Sequence, residues 1–306
     1  MGALRHRGVA RMRLRLPSGR TLVLALPFLW LGLFFLAPFL IVAKIALSEG
    51  ALGIPPYAPV LRWTDQGVLT IVLNLGNLAT LVSDPFYLEA YLRSLRVAAI
   101  SGMLCLLIGY PMAYGIARAP ERRRNLLLML VVLPFWTSFL LRVMAWIGLL
   151  ADNGVVNNLL LAAGLVSQPI PLLYTDFALY AGIVYCYLPF MVLPLYANLS
   201  KLDPVLLEAA ADLGARPWRA FLTVTLPLSL PGIIAGFMLV FIPAVGEFVI
   251  PELLGGPGAQ LIGRVLWTEF FQNRDWPMAA ALAIVLLLLL VIPIAWFQHV
   301  QGKAAR

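Results

Sequence analysis

Six stretches of this chain are long and apolar enough to cross a bilayer, which leaves few folds open to it. They run approximately Leu22–Leu47, Val97–Ile116, Leu126–Leu150, Phe177–Ala197, Pro231–Ile250 and Met278–Phe297. In hydrocarbon every backbone N–H and C=O must find its partner inside the protein, so spans of this length are helices. Composition points the same way. Of the 306 residues 62% are hydrophobic and 12% charged, against about a quarter charged in an ordinary soluble domain. The expected fold is all-α and polytopic, with six transmembrane helices. The first stretch is too long for the ~7–15-residue core of a secretory signal, so it reads as an uncleaved helix.

The net charge is +8, and its placement sets the orientation. Arg5, Arg7, Arg11, Arg13, Arg15 and Arg20 precede the first stretch, and Arg118, Arg122, Arg123 and Arg124 fill one short connection. Lys and Arg are retained on the cytoplasmic side of membrane helices. Residues 48–92 carry Glu49, Asp65, Asp84 and Glu89 against Arg62, and residues 151–176 carry Asp152 and Asp176 without a cation, so both are placed outside. Six crossings then return Lys303 and Arg306 to the cytoplasm, where the N-terminus also lies. The chain divides into a basic tail (1–21), a first helix (22–47), an outer segment with short strands (48–92), a helical core (93–299) and a cytoplasmic tail (300–306). Basic charge held at helix ends excludes a nucleic-acid partner. Prolines recur within the spans, Pro134 among them, and read as packing kinks.

The inward connection between the fourth and fifth stretches is unusual. Asp203 can cap a helix that opens at Pro204 and stops at Gly214. A second short helix is expected from Pro217, with Trp218 at the interface. The first helix has about ten residues and needs a packing partner to persist. Its Ala209, Ala210 and Ala211 allow close approach, and Glu208 and Asp212 share a face one turn apart. A helix lying on anionic lipid would carry a basic face instead. The physical reading is therefore a docking helix for a cytoplasmic protein.

These residues also carry a resemblance. Glu208-Ala209-Ala210, then Gly214, then Val224-Thr225-Leu226-Pro227 resembles the EAA loop of binding-protein-dependent ABC importer permeases, with Val224 where that pattern has Ile. "PFWTSFLLRVMAW" (134–146), "GEFVIPELLGG" (246–256) and "IGRVLWTEFFQNRDWP" (262–277) resemble the polyamine branch of that family. The resemblance implies the type I importer permease architecture in a bacterial inner membrane. It implies a coupling loop (198–227) whose Glu208, Ala209, Ala210, Asp212 and Gly214 dock an ATPase. The implied partners are a second homologous permease, a cytoplasmic ATPase dimer, a periplasmic polyamine-binding protein and membrane lipid. Putrescine is the favoured solute, with spermidine or another small organic solute as the alternative.

No catalytic motif accompanies this. The sequence has no G-x-x-x-x-G-K-[ST], and its one Gly-Lys pair, Gly302-Lys303, lies in the tail. ATP would be bound by a partner, and no cofactor or metal is expected in this chain. Cys105 and Cys186 fall in apolar spans at no metal-ligand spacing and read as small buried hydrophobes. A path for an organic cation needs carboxylates and aromatic faces. The candidates are Glu247, Asp176 and Asp152, with Tyr185, Tyr187, Trp136, Trp146 and Phe241 as walls. The competing reading makes Glu247 a loop cap or a partner of Arg264, and the aromatics an interfacial belt. Arg142, inside the third stretch, reads as a structural charge paired with an acid such as Glu247. Two other classes remain open: an ion-coupled carrier and a non-transporting membrane assembly protein.

Overall fold

The computed structural model describes residues 19–63 and 67–304. The arginines from Arg5 to Arg15, together with Asp65 and Arg306, lie outside the described residues. The first span, α1, runs as Gly19–Leu31, passes a π turn at Gly32–Leu36 and continues as Ala37–Ala46. An outer segment follows, with two antiparallel strands, β1 (Leu61–Trp63) and β2 (Leu69–Ile71), and a short helix α2 (Gly76–Ser83). The short strands expected there are present.

Helix α3 (Pro85–Arg118) begins twelve residues before the expected Val97. Asp84 starts it by accepting the Phe86 N–H at 2.9 Å, and Pro85 suits the first position. The eight residues from 85 to 92 therefore belong to this helix and not to a loop. Its 34 residues reach about 51 Å at 1.5 Å each, so it projects well past a ~30 Å hydrocarbon core.

The third expected span is not one helix. It divides into α4 (Glu121–Val132) and α5 (Phe139–Leu150) around a 3-10 turn at Leu133–Trp136. Pro134 has no N–H to continue the ladder. Thr137 then turns extended, and its N–H and hydroxyl both donate to the Pro134 carbonyl, at 3.2 and 2.8 Å. The kink is thus a full break, made by a proline and closed by a threonine. Helix α6 (Val155–Ala162) follows, and Asn157 holds the next loop by exchanging hydrogen bonds with Ile170.

Helix α7 (Asp176–Leu199) matches expectation, while the fifth span is displaced. A short helix α8 (Val205–Asp212) leads into α9, which runs over Pro217–Val245 with a π turn at Phe221–Thr225. The fifth span therefore starts fourteen residues before the expected Pro231 and ends five before Ile250. The separate second helix expected at Pro217 is its first turn. Two short helices, α10 (Val249–Leu254) and α11 (Ile262–Trp267), precede the last helix α12 (Trp276–Ala304). Five helical stretches among the described residues have the length and apolarity of membrane spans, and α12 adds a shorter apolar stretch over Trp276–Ile292.

The most extensive helix contacts join α3, α7 and α9. Small residues permit this close approach, as in other membrane bundles. A Cβ on Gly236 of α9 would lie 2.8 Å from the Met191 sulfur and 3.0 Å from its carbonyl on α7. Gly182 of α7 likewise receives Leu254 of α10. Polar ties cross the same seams. Tyr110 of α3 bonds Ser229 of α9 at 2.9 Å, and Tyr91 donates to the Leu282 carbonyl of α12 at 2.7 Å. Helix α1 joins the bundle through its Ala37–Ala46 half, which lies along α12.

Candidate functional site

The exposed helix α8 is the first candidate. Asp203 accepts the Val205 N–H at 3.0 Å, the cap expected of it. At the other end Gly214 has φ 79°, a left-handed value that favours glycine. The Ala215 N–H donates to the Ala210 carbonyl at 2.9 Å and the Gly214 N–H to Ala211 at 2.8 Å. This pair of bonds is the Schellman closure of a helix end. Glu208, Ala209, Ala211 and Asp212 are exposed, and Ala210 is half-buried. Around them Leu213 is 89% exposed, with Val205, Leu206 and Trp218 also open. The helix thus presents a small-sided, two-carboxylate surface ringed by uncovered apolar side chains.

Its connection to the bundle is short. Only Leu213 to Arg216 separate α8 from α9, which enters the bundle without interruption. The π turn opens α9 just before Pro227, whose ring cannot continue the ladder. Phe221 in that turn meets Tyr110 and Tyr114 of α3 edge-on, at centroid distances of 5.5 and 6.1 Å. These contacts link α8 through α9 to the C-terminal part of α3.

The second candidate is a cavity of about 570 Å³ between α5, α7 and the end of α9. It brings together Glu247, Tyr187 and Arg142 with Phe135, Phe139 and Phe190. Tyr187 lies mid-way along α7, so the cavity sits about 16 Å along that helix from Asp176. Glu247 stands two residues beyond the end of α9 at Val245 and packs against the middle of α7. Its carboxylate is already engaged. Oε1 accepts the N–H groups of Phe248, Val249 and Ile250 at 3.1, 2.9 and 3.3 Å, and Oε2 accepts the Tyr187 hydroxyl. Glu247 holds the start of α10 from the position before its N-cap Phe248, a helix end where the structural reading expected a loop cap. Its other expected partner is taken: Arg264 pairs with Glu252 at 2.6 Å.

Arg142 shares the cavity and makes no ion pair with Glu247. Its guanidinium lies over Phe135 and Phe139, at 5.2 and 5.6 Å from the ring centroids. Its Nε and Nη1 are buried and have no hydrogen-bond partner among the described residues. The expected pairing is corrected to an aromatic seat. Phe139 lies one turn before Arg142 on α5, and Phe135 reaches the same guanidinium from the 3-10 turn at Leu133–Trp136.

The remaining path candidates lie elsewhere. Asp176 pairs with Arg93 at 3.4 Å in a separate charged cavity that also holds Glu89 and Arg96. Asp152 is exposed at the turn after α5. Trp146 and Tyr185 pack edge-on at 5.7 Å, and Phe241 stacks on Phe237 at 5.7 Å. Trp136 is 78% exposed. Of the eight, Tyr187 and Glu247 share the Glu247 cavity, Trp146 and Tyr185 pair with each other, and the other four stand apart.

With this architecture in view, the class of protein is defined by comparison. Residues 106–305 match the family described as "Binding-protein-dependent transport system inner membrane component", and the chain belongs to that family. It is a multi-pass membrane permease component and not an enzyme.

Particular relatives are close. The chain is 43% identical over 234 residues to the "Spermidine/putrescine transport system permease protein PotB" of Salmonella typhimurium (strain SL1344), covering 76% of this chain and 81% of that protein. It is 39% identical over 271 residues to the protein of the same name from Haemophilus influenzae, covering 89% and 90%. The fold is shared with a solved bacterial ABC transporter involved in the import of the acidic polysaccharide alginate, at TM-score 0.66 and 19% identity over 94% of this chain and 97% of that one.

Proposed function

We propose that this chain is the permease subunit of an ATP-driven importer of linear polyamines, with putrescine as the preferred solute. Together with a second, homologous permease it encloses the path. A periplasmic binding protein delivers the solute and a cytoplasmic ATPase dimer supplies the work. The single observation that carries the reading is α8: an exposed helix with a small, acidic face, joined by four residues to a span at the heart of the bundle. The names of the relatives support the solute class. In this mechanism both termini and α8 face the cytoplasm. ATP binding draws the coupling helices of the two permeases together, and α9 carries that motion to α3 and α7.

Reconstitution tests it. The complex in proteoliposomes should take up labelled putrescine only with ATP and the binding protein, and unlabelled spermidine should compete. ATP-independent uptake driven by a proton or sodium gradient would replace this reading with the ion-coupled one.

A further inference from the structure

Helices α3 and α4 meet in a hairpin whose turn is Ala119 and Pro120. Arg124 closes it by donating to the Ala117 and Ala119 carbonyls, at 3.5 and 3.3 Å. Beyond that tie a groove of about 550 Å³ lies between the two helices. Pro111, Met112 and Gly115 of α3 face Leu127, Leu130 and Val131 of α4 across it, and no charged side chain lines it. Gly115 is exposed, and a Cβ there would meet no atom within 4 Å. Glycine weakens a helix interior relative to alanine, and no neighbour in the chain requires it here. After Asn125 the helix α4 is apolar on every side, with Leu126, Met129 and Leu130 each 52% exposed. A helix of that kind belongs in hydrocarbon.

The hairpin end of the groove is cationic. Arg123 precedes Leu127 by one turn and Leu130 by two, so it shares their face of α4. Arg118 ends α3 one turn past Gly115, with its guanidinium 5.3 Å from the Tyr114 ring centroid. Neither arginine makes an ion pair among the described residues. Glu121, the acid of this hairpin, stands two positions from Arg123 and so faces elsewhere. We propose that the groove holds an acyl chain of an anionic phospholipid, with the lipid phosphate met by Arg118 and Arg123. Helix side chains lean toward the helix N-terminus, which for α4 is the hairpin. Arg123 therefore leans out to the head group while the apolar wall continues inward to Val131, about 12 Å further along the axis. Charge and hydrocarbon follow one another here as they do in a lipid. A rim of cations without an acid fits a phosphate, and basic pockets between membrane helices hold anionic head groups in this way. The site is independent of which solute the path carries.

Native mass spectrometry tests it on the purified transport complex, stripped of lipid in detergent. The probes are phosphatidylglycerol and phosphatidylcholine with the same acyl chains, added in equal amounts. The wild type should retain phosphatidylglycerol about tenfold over phosphatidylcholine, because two arginines at the head group favour a net anion. Gly115→Leu fills the groove with its Cβ clear of the chain. It should lower phosphatidylglycerol retention about tenfold, with the lipid-free melting temperature unchanged. Arg118→Gln combined with Arg123→Gln should bring the two lipids within about twofold, and the paired Lys variant should stay within about threefold of the wild-type preference. Inorganic phosphate should not displace the lipid. No preference in the wild type, full retention by Gly115→Leu, a preference that survives the Gln pair, equal loss in the Lys and Gln pairs, or displacement by phosphate would each overturn the site. Release of the second permease by Gly115→Leu would place protein in the groove and overturn it as well.

Discussion

Replacing Gly214 by Val isolates the end of the docking helix. A Cβ at this position meets no atom within 4 Å, so the substitution creates no clash. The cost lies in the backbone, which holds φ at 79°. An L-residue loses about 1–2 kcal/mol there, and a β-branched one resists it further. The competing state gives up the Ala215–Ala210 and Gly214–Ala211 bonds and frays the last turn. With eight residues, α8 has little intrinsic stability to set against that. A loss of about 1.4 kcal/mol lowers the formed population about tenfold, and the apparent affinity for a partner that needs the formed helix falls equally. Gly214→Asn is the control, because asparagine tolerates the left-handed region. Titration of purified ATPase subunits onto the chain in nanodiscs should show Val weaker by about tenfold and Asn within about threefold. Equal binding by Gly and Val, or equal loss in Val and Asn, would refute the reasoning.

Other perturbations read the bundle and the cavity. Gly236→Val pushes a branched side chain against the Met191 backbone and should lower stability by about 1–3 kcal/mol, seen as a lower melting temperature in detergent; an unchanged value would mean that α7 and α9 can part freely. Glu247→Ala leaves three backbone N–H groups and the Tyr187 hydroxyl without their acceptor and should cost about 2–4 kcal/mol, whereas Gln keeps one acceptor and should cost less. Equal melting temperatures for the two variants would remove Glu247 as a cap. Arg142→Met retains contact with Phe135 and Phe139 while removing two unpartnered buried donors, so stability should hold or rise. A fall of several degrees would reveal a partner for the guanidinium in the assembled protein.

The fold was largely legible because apolar length and basic loops report membrane helices directly. The places where sequence and structure differ have local causes. Hydropathy marks where a helix enters hydrocarbon, not where it begins, so the first turns of α3, up to residue 92 with Glu89 among them, read as part of the outer segment. The same blindness shifted α9, whose first turns at Pro217–Ala220 are polar at their edges yet helical. Pro134 was visible, but a break needs the Thr137 hydroxyl as well, and that bond depends on conformation. Gly214 and Asp203 were readable because caps are local chemistry. Glu247 was found for its charge, while its role was set by where α9 ends.

The most direct measurement places α8 and its neighbour. A cysteine at exposed Ala209, in a chain whose Cys105 and Cys186 are buried, can be labelled and cross-linked in sealed vesicles of either orientation. The account expects maleimide to reach it only from the cytoplasmic face, and a short cross-linker to capture an ATP-hydrolysing subunit there. Labelling from the periplasmic face, or a cross-link pattern with no ATPase in it, would contradict the account.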